Sequence, residues 1–179
     1  MDTPVTIKQI LLEEAEKNYI VTEKLFRKVE NSMLNWKPTM GSNWMTVGQL
    51  LMHCSKYGIG MAVKGFVRGD WELPELTEPD DQNTDQHFPP AEALPYVDSV
   101  EKALELLEED RKLTLQCLSE VKDEDLLTKK PTAPWGGPAM TLYQHLLMMI
   151  AHLTQHKGQL FYYLKLMGKD VDTFDLWGE

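Results

Sequence analysis

Cysteine is nearly missing from this chain: two, Cys54 and Cys117, in 179 residues. They stand too far apart for a CxxC redox or metal motif, and both lie among apolar helix formers, so reduced core thiols are expected. Basic residues are in deficit too, 18 Lys and Arg against 28 Asp and Glu, for a net charge of −10. A field of that sign repels phosphate backbones and speaks against nucleic acid as a partner. No apolar run approaches the ~20 residues of a membrane-spanning helix, so no membrane partner is expected. Met1-Asp2-Thr3-Pro4 passes directly into amphipathic sequence without the basic and apolar regions of a signal peptide, which points to the cytoplasm.

Several catalytic signatures are also missing. There is no H-E-x-x-H, so a zincin site is not supported. There is no Glu-x-x-His pair of the kind that builds a di-iron bundle. No Ser sits in a nucleophile elbow. Trp135-Gly136-Gly137-Pro138 is interrupted by proline and reads as a turn, not a phosphate cradle. The acidic runs Glu13-Glu14 and Glu108-Glu109-Asp110 read as solvated helix faces.

What is present is helical periodicity, with 42% hydrophobic residues to build a core. Ile7, Ile10, Leu11, Val21, Leu25 and Val29 predict a first helix from about Ile7 to Leu34, ending before Pro38. Thr46 is a candidate N-cap for a second, running through Val47, Leu50, Leu51, Cys54, Ile59 and Val63. Gly69 to Pro90, rich in Pro and Asp, reads as a long crossover loop. A third helix is expected from about Ala93 to Val121, followed by an irregular segment to Trp135. A fourth is expected from an N-cap at Thr141 to Met167, stopped at Gly168. No segment alternates with period two. The expectation is one all-α domain over residues 1–179, a four-helix bundle. The long link lets helices two and three run parallel, in up-down-down-up order.

Four of the five histidines fall on two of these helices, and His53, His152 and His156 are the three that could act together. His152 and His156 are four residues apart, which puts both imidazoles on one face, one turn apart. His53 ends the Gln49-Leu50-Leu51-Met52-His53 stretch of helix two. A single histidine on an amphipathic helix is ordinarily a hydrogen-bonded boundary residue. Three together can hold one divalent metal and leave a coordination position open. Zinc, nickel, iron and manganese all accept such a nitrogen-rich site. Gln49 and Tyr57 share the helix face of His53, and Gln159 and Tyr163 that of His156, as candidates to line a substrate pocket or support the ligands. His145 is on the same face as His152 but two turns back, and His87 lies in the acidic loop.

These residues carry a resemblance. His152-x-x-x-His156-Lys157-Gly158-Gln159-Leu160, followed by Tyr163-Leu164 and Leu166-Met167-Gly168, resembles the last helix of the DinB/YfiT-like superfamily of bacterial four-helix-bundle metalloproteins. Trp44-Met45-Thr46-Val47-Gly48-Gln49-Leu50-Leu51-Met52-His53 is similar to the family's second helix, ending in its first ligand. The resemblance implies an up-down-down-up bundle, often a homodimer. It implies a divalent metal, zinc or nickel above all, on His53, His152 and His156. Family members of known activity include S-transferases that use bacillithiol or glutathione and mycothiol-dependent isomerases. By that likeness the chain is expected to be a metal-dependent S-transferase acting on a small-molecule substrate with a low-molecular-weight thiol such as bacillithiol. A metal-dependent hydrolase and a non-catalytic dimeric bundle are the alternatives.

Overall fold

Three helices of this protein start with the same local device. Thr6, Thr46 and Thr141 are N-caps, each accepting from the backbone N–H three residues on. The third residue is a glutamine each time, Gln9, Gln49 and Gln144, whose side chain accepts from the threonine N–H in return. Two of the four orphan donors at each helix start are thereby satisfied within the local sequence.

The computed structural model describes residues 4–71 and 89–178. In these, α1 spans Ile7–Phe26, α2 Val47–Cys54, α3 Gly60–Arg68, α4 Val100–Glu120, α5 Asp123–Thr128, α6 Leu142–Leu166 and α7 Thr173–Trp177. Short 3-10 turns occur at Asn31–Met33 and Ala91–Ala93. The described residues include no strand, and the fold is all-α as expected. Most of the expected crossover loop, His87 included, lies outside the described residues.

α1 packs on α4 and α6, and α3 packs on the same two helices from the opposite side, with α2 against α6. Contacts at both ends give the directions. The start of α1 meets the end of α4, where Lys8 N–H donates to Asp123 Oδ1. Beyond the other end of α1, Asn31 Oδ1 accepts from Val100 N–H at the start of α4. The two are antiparallel. Lys28 and Glu30 pair with Asp175 and Lys169 beyond the C-terminus of α6, so α1 and α6 run the same way. Gly60 N–H donates to Asp110 and Arg68 pairs with Glu120, so α3 and α4 are parallel.

Helix one is shorter than its periodicity predicts. Lys28 and Val29 close 3-10 turns onto Leu25 and Phe26, and Glu30 is extended. The chain turns so that Asn31 can cap α4, while Val29 and Leu34 still bury their side chains. Helix three starts late because Leu94 is held extended before Pro95, and Ser99 then supplies the cap. α5 lies inside the segment read as irregular, anchored by the fully buried Leu126, and α7 follows past the expected end. Helix four matches its sequence signals, with Gly168 left-handed at φ 76°.

The largest departure is in helix two, which breaks at Ser55–Ile59. Asp110, buried in α4, accepts from Ile59 N–H (3.2 Å) and Gly60 N–H (3.0 Å) at the start of α3. Tyr19 O–H donates to the same carboxylate at 2.6 Å, and Thr114 Oγ1 lies 2.8 Å from that phenol. A Cβ at Gly58 or at Gly60 would sit 2.5 Å from an Asp110 carboxylate oxygen. Glycine at both positions admits the carboxylate to the helix N-terminus, where the N–H groups and the helix dipole stabilise its charge. Asp110 therefore corrects the reading of Glu108-Glu109-Asp110 as a solvated run. Its spacing from Ala103, Leu107, Thr114 and Cys117 places it on the buried stripe of α4.

Candidate metal centre

His53 sits in the last turn of α2, one residue before the helix ends. His152 and His156 lie one turn apart at mid-length of α6. Because α2 crosses α6, the three rings meet. Their centroids are 5.1 Å (His53–His152), 4.4 Å (His53–His156) and 4.6 Å (His152–His156) apart. One nitrogen from each lies within 4.8 Å of the other two, and His53 Nε2 is 3.1 Å from His152 Nε2. Two nitrogens on one tetrahedral zinc, each ~2.0–2.1 Å from it, would be about 3.3 Å apart. The residues present therefore fit a divalent ion, and all three rings remain partly exposed.

The rings are also in the protonation state that a metal needs. Burial pulls His53 down to about 4, with His156 and His152 beside it adding repulsion against a positive charge. Burial, then His156, pulls His152 to about 4. His156 is lowered by burial as well, with the Gln159 hydrogen bond working the other way. At neutral pH the three imidazoles are uncharged, and each ring has one nitrogen free of hydrogen.

The other candidates are placed less uniformly. Gln159 Oε1 lies 3.1 Å from His156 Nδ1, Gln159 Nε2 donates to the Tyr163 hydroxyl at 3.0 Å, and that hydroxyl donates to the Met45 carbonyl at 3.1 Å. These two residues therefore stand directly behind His156. Gln49 is occupied elsewhere. Its Oε1 closes the capping box, and its Nε2 donates to the carbonyls of Ala91 (2.7 Å) and Leu94 (2.9 Å). Tyr57 lies in the break between α2 and α3 with its ring exposed. His145 stacks on Phe66 at 4.0 Å, away from the three histidines, with Nε2 against the Pro131 carbonyl. Cys54 and Cys117 are free and buried, as expected.

Asp110 was the position hardest to read from sequence. It holds the break that ends α2 one residue past His53, and burial raises its carboxyl to about 7 against the pull of its three donors. An acidic residue in register with an apolar stripe was the available signal.

Comparison with known proteins agrees with this architecture. Similar folds occur in a DinB-like protein from Bacillus cereus (20% identity, 90% of this chain and 93% of that one, TM-score 0.60) and in a conserved protein from Enterococcus faecalis (21%, 93% and 100%, 0.70). A DinB-like protein from Bacillus subtilis is similar too (17%, 93% and 97%, 0.63). At these identities the likeness shows the fold alone. No curated protein sequence matches significantly. The sequence model of the DinB superfamily matches residues 14–160, from mid-α1 through all three histidines to the glutamine behind His156. With that span matched, the chain belongs to the DinB superfamily.

Proposed function

We propose that this protein is a metal-dependent enzyme of the low-molecular-weight-thiol S-transferase type, with zinc or nickel on His53, His152 and His156. The observation that carries the proposal is the makeup of the cluster: three neutral imidazoles from two helices, with no carboxylate or thiol joining them among the described residues. Such a donor set leaves the charge of a divalent ion uncompensated and favours an anion in the open position. A bound ion there would favour the thiolate form of a small thiol.

The protein supplies no thiol of its own at the site. Cys54 is next to His53 in sequence but buried, with its thiol pushed far up by burial and by Asp110. The sulfur must come from solution, and bacillithiol is one thiol of the required kind. In the transfer to a chlorinated aromatic, a sulfur lone pair forms the C–S bond, chloride leaves with the C–Cl pair, and the thiol proton passes to solvent. A hydrolase of the kind that relies on a carboxylate base finds no such group within the histidine cluster among the described residues. The proposal includes the cytoplasm as location and a homodimer as assembly.

The test is metal analysis of the purified protein with His53→Ala, His152→Ala and His156→Ala, followed by conjugation of a chlorinated aromatic with several low-molecular-weight thiols. Each substitution is expected to lower metal content sharply while helicity stays near wild type. Conjugation is expected to require both metal and thiol. Full metal retention in a variant removes that residue from the site. Metal-dependent ester or amide hydrolysis without thiol turnover identifies the hydrolase, and a metal-loaded protein inactive in both assays identifies a non-catalytic bundle.

A further inference from the structure

The three histidines are not equivalent in their hydrogen bonding. His53 and His152 face each other through Nε2 at 3.1 Å. Two neutral rings can share that contact only if one of them carries its hydrogen on Nε2. That ring must move the hydrogen to Nδ1 before its Nε2 can bind a metal. No hydrogen bond to Nδ1 of either ring occurs among the described residues.

His156 differs. An amide oxygen only accepts, so the 3.1 Å contact of Nδ1 with Gln159 Oε1 requires hydrogen on Nδ1 and a lone pair on Nε2. The orientation of the glutamine is set from its far end. Its amide nitrogen donates to the Tyr163 hydroxyl, whose one hydrogen goes to the Met45 carbonyl. A backbone carbonyl cannot donate, so the chain runs one way from His156 to Met45. Reversing the amide would turn the tyrosine hydrogen toward Gln159 and take this donor away from Met45. Tyr163 is buried and fixed edge-on by Trp36 (5.2 Å) and Trp44 (6.3 Å), from the segment leading into α2.

We propose that Gln159 and Tyr163 are positioning residues that hold His156 in its Nδ1–H tautomer before any metal arrives, making it the preset ligand of the three. The outer hydrogen bond of a ligating histidine sets both tautomer and ring orientation, and losing it costs roughly 10–100-fold in metal affinity. The proposal rests on the metal-site reading for its affinity part and stands apart from it for the tautomer.

The experiment uses 15N-labelled, metal-free full-length protein. Long-range proton–nitrogen correlation spectra assign the tautomer of His156, and zinc affinity is read by competition with a chelator. In the wild type, Nδ1 of His156 is expected to be the protonated nitrogen. Gln159→Leu is expected to lose that preference and to bind zinc roughly 10–100-fold more weakly, with the circular dichroism of the wild type. Gln159→Glu restores an acceptor opposite Nδ1 and is expected to rescue the tautomer. Tyr163→Phe leaves Gln159 without its far-end partner and is expected to fall between wild type and Gln159→Leu. A wild-type His156 protonated on Nε2 overturns the proposal, as does a Gln159→Leu variant with unchanged tautomer and affinity. Should the wild type bind no metal, the proposed function fails while the tautomer measurement still decides this inference.

Discussion

At the scale of single residues, the protein sets opposite titrations against each other. His53 and His152 have an ordinary value of 6.5 and fall to about 4 in the folded chain. Between those values the unfolded chain binds more protons than the folded one. Their contribution to stability is therefore full above pH 6.5 and is lost as pH falls through 4. Asp110 rises from 3.8 to about 7, so its contribution is full below 3.8 and is lost as pH rises through 7. The two oppose each other from about pH 4 to 6.5 in the metal-free protein. Asp110→Asn removes one side, and we expect its stability to fall more steeply than that of the wild type as pH drops from 6.5 to 4. Urea unfolding at several pH values with chelator present measures this, and parallel slopes would rule it out. Asp110 also shows how a residue's role escapes sequence reading. Its neighbours Glu108 and Glu109 do lie on the outer side of α4, and Glu108 pairs with Arg111. One residue further on, the same charge is buried, because only its register with α3 separates the two cases.

At the scale of elements, the eight-residue α2 is too short to be stable from propensity alone. Its start is tied to the rest of the molecule by Gln49, which caps the helix with one end of its amide and holds the 91–94 segment with the other. Gln9 makes the same box on α1 but lies exposed, and its side chain makes no second hydrogen bond among the described residues. We expect Gln49→Ala to destabilise the fold by about 1–3 kcal/mol more than Gln9→Ala, since it strands two carbonyls at a buried site. Equal losses in denaturant unfolding would show that the segment holds without Gln49. The element-scale reading of the sequence succeeded where signals are local. Thr46 and Thr141 cap as expected, and Gly168 ends α6. It missed the break at Ser55–Ile59, because the glycines there answer to a carboxylate fifty residues away.

For the whole molecule, the exposed side of α6 stands apart from a chain of net charge −10. From Gln144 to Tyr162 it presents no charge, and Leu147, Met148, Ala151, Gln155 and Tyr162 are exposed there. Two copies of an acidic protein repel one another over most approaches, and this face adds no charge to that repulsion. It supports the homodimer included in the proposed function. Tyr162, 62% exposed, is central to the test. Tyr162→Glu is expected to convert a dimer to a monomer in light scattering without loss of helicity. A wild type that is monomeric at high concentration, or a variant that stays dimeric, would put the contact elsewhere or remove it. No helix among the described residues is long and apolar enough to cross a membrane.

Local sequence sufficed for where helices one, two and four begin, which face of α6 carries His152 and His156, and that Gly168 ends it. These depend on contacts within four residues, and local chemistry suffices for them. Long-range contacts in the tertiary structure set that helix one stops at Phe26, that helix two breaks after Cys54, and that Gln49 serves the 91–94 segment while Gln159 serves His156. They also brought His53 to the α6 pair. Each of these depends on a partner distant in the chain, and periodicity carries no information about which distant side chain will be opposite.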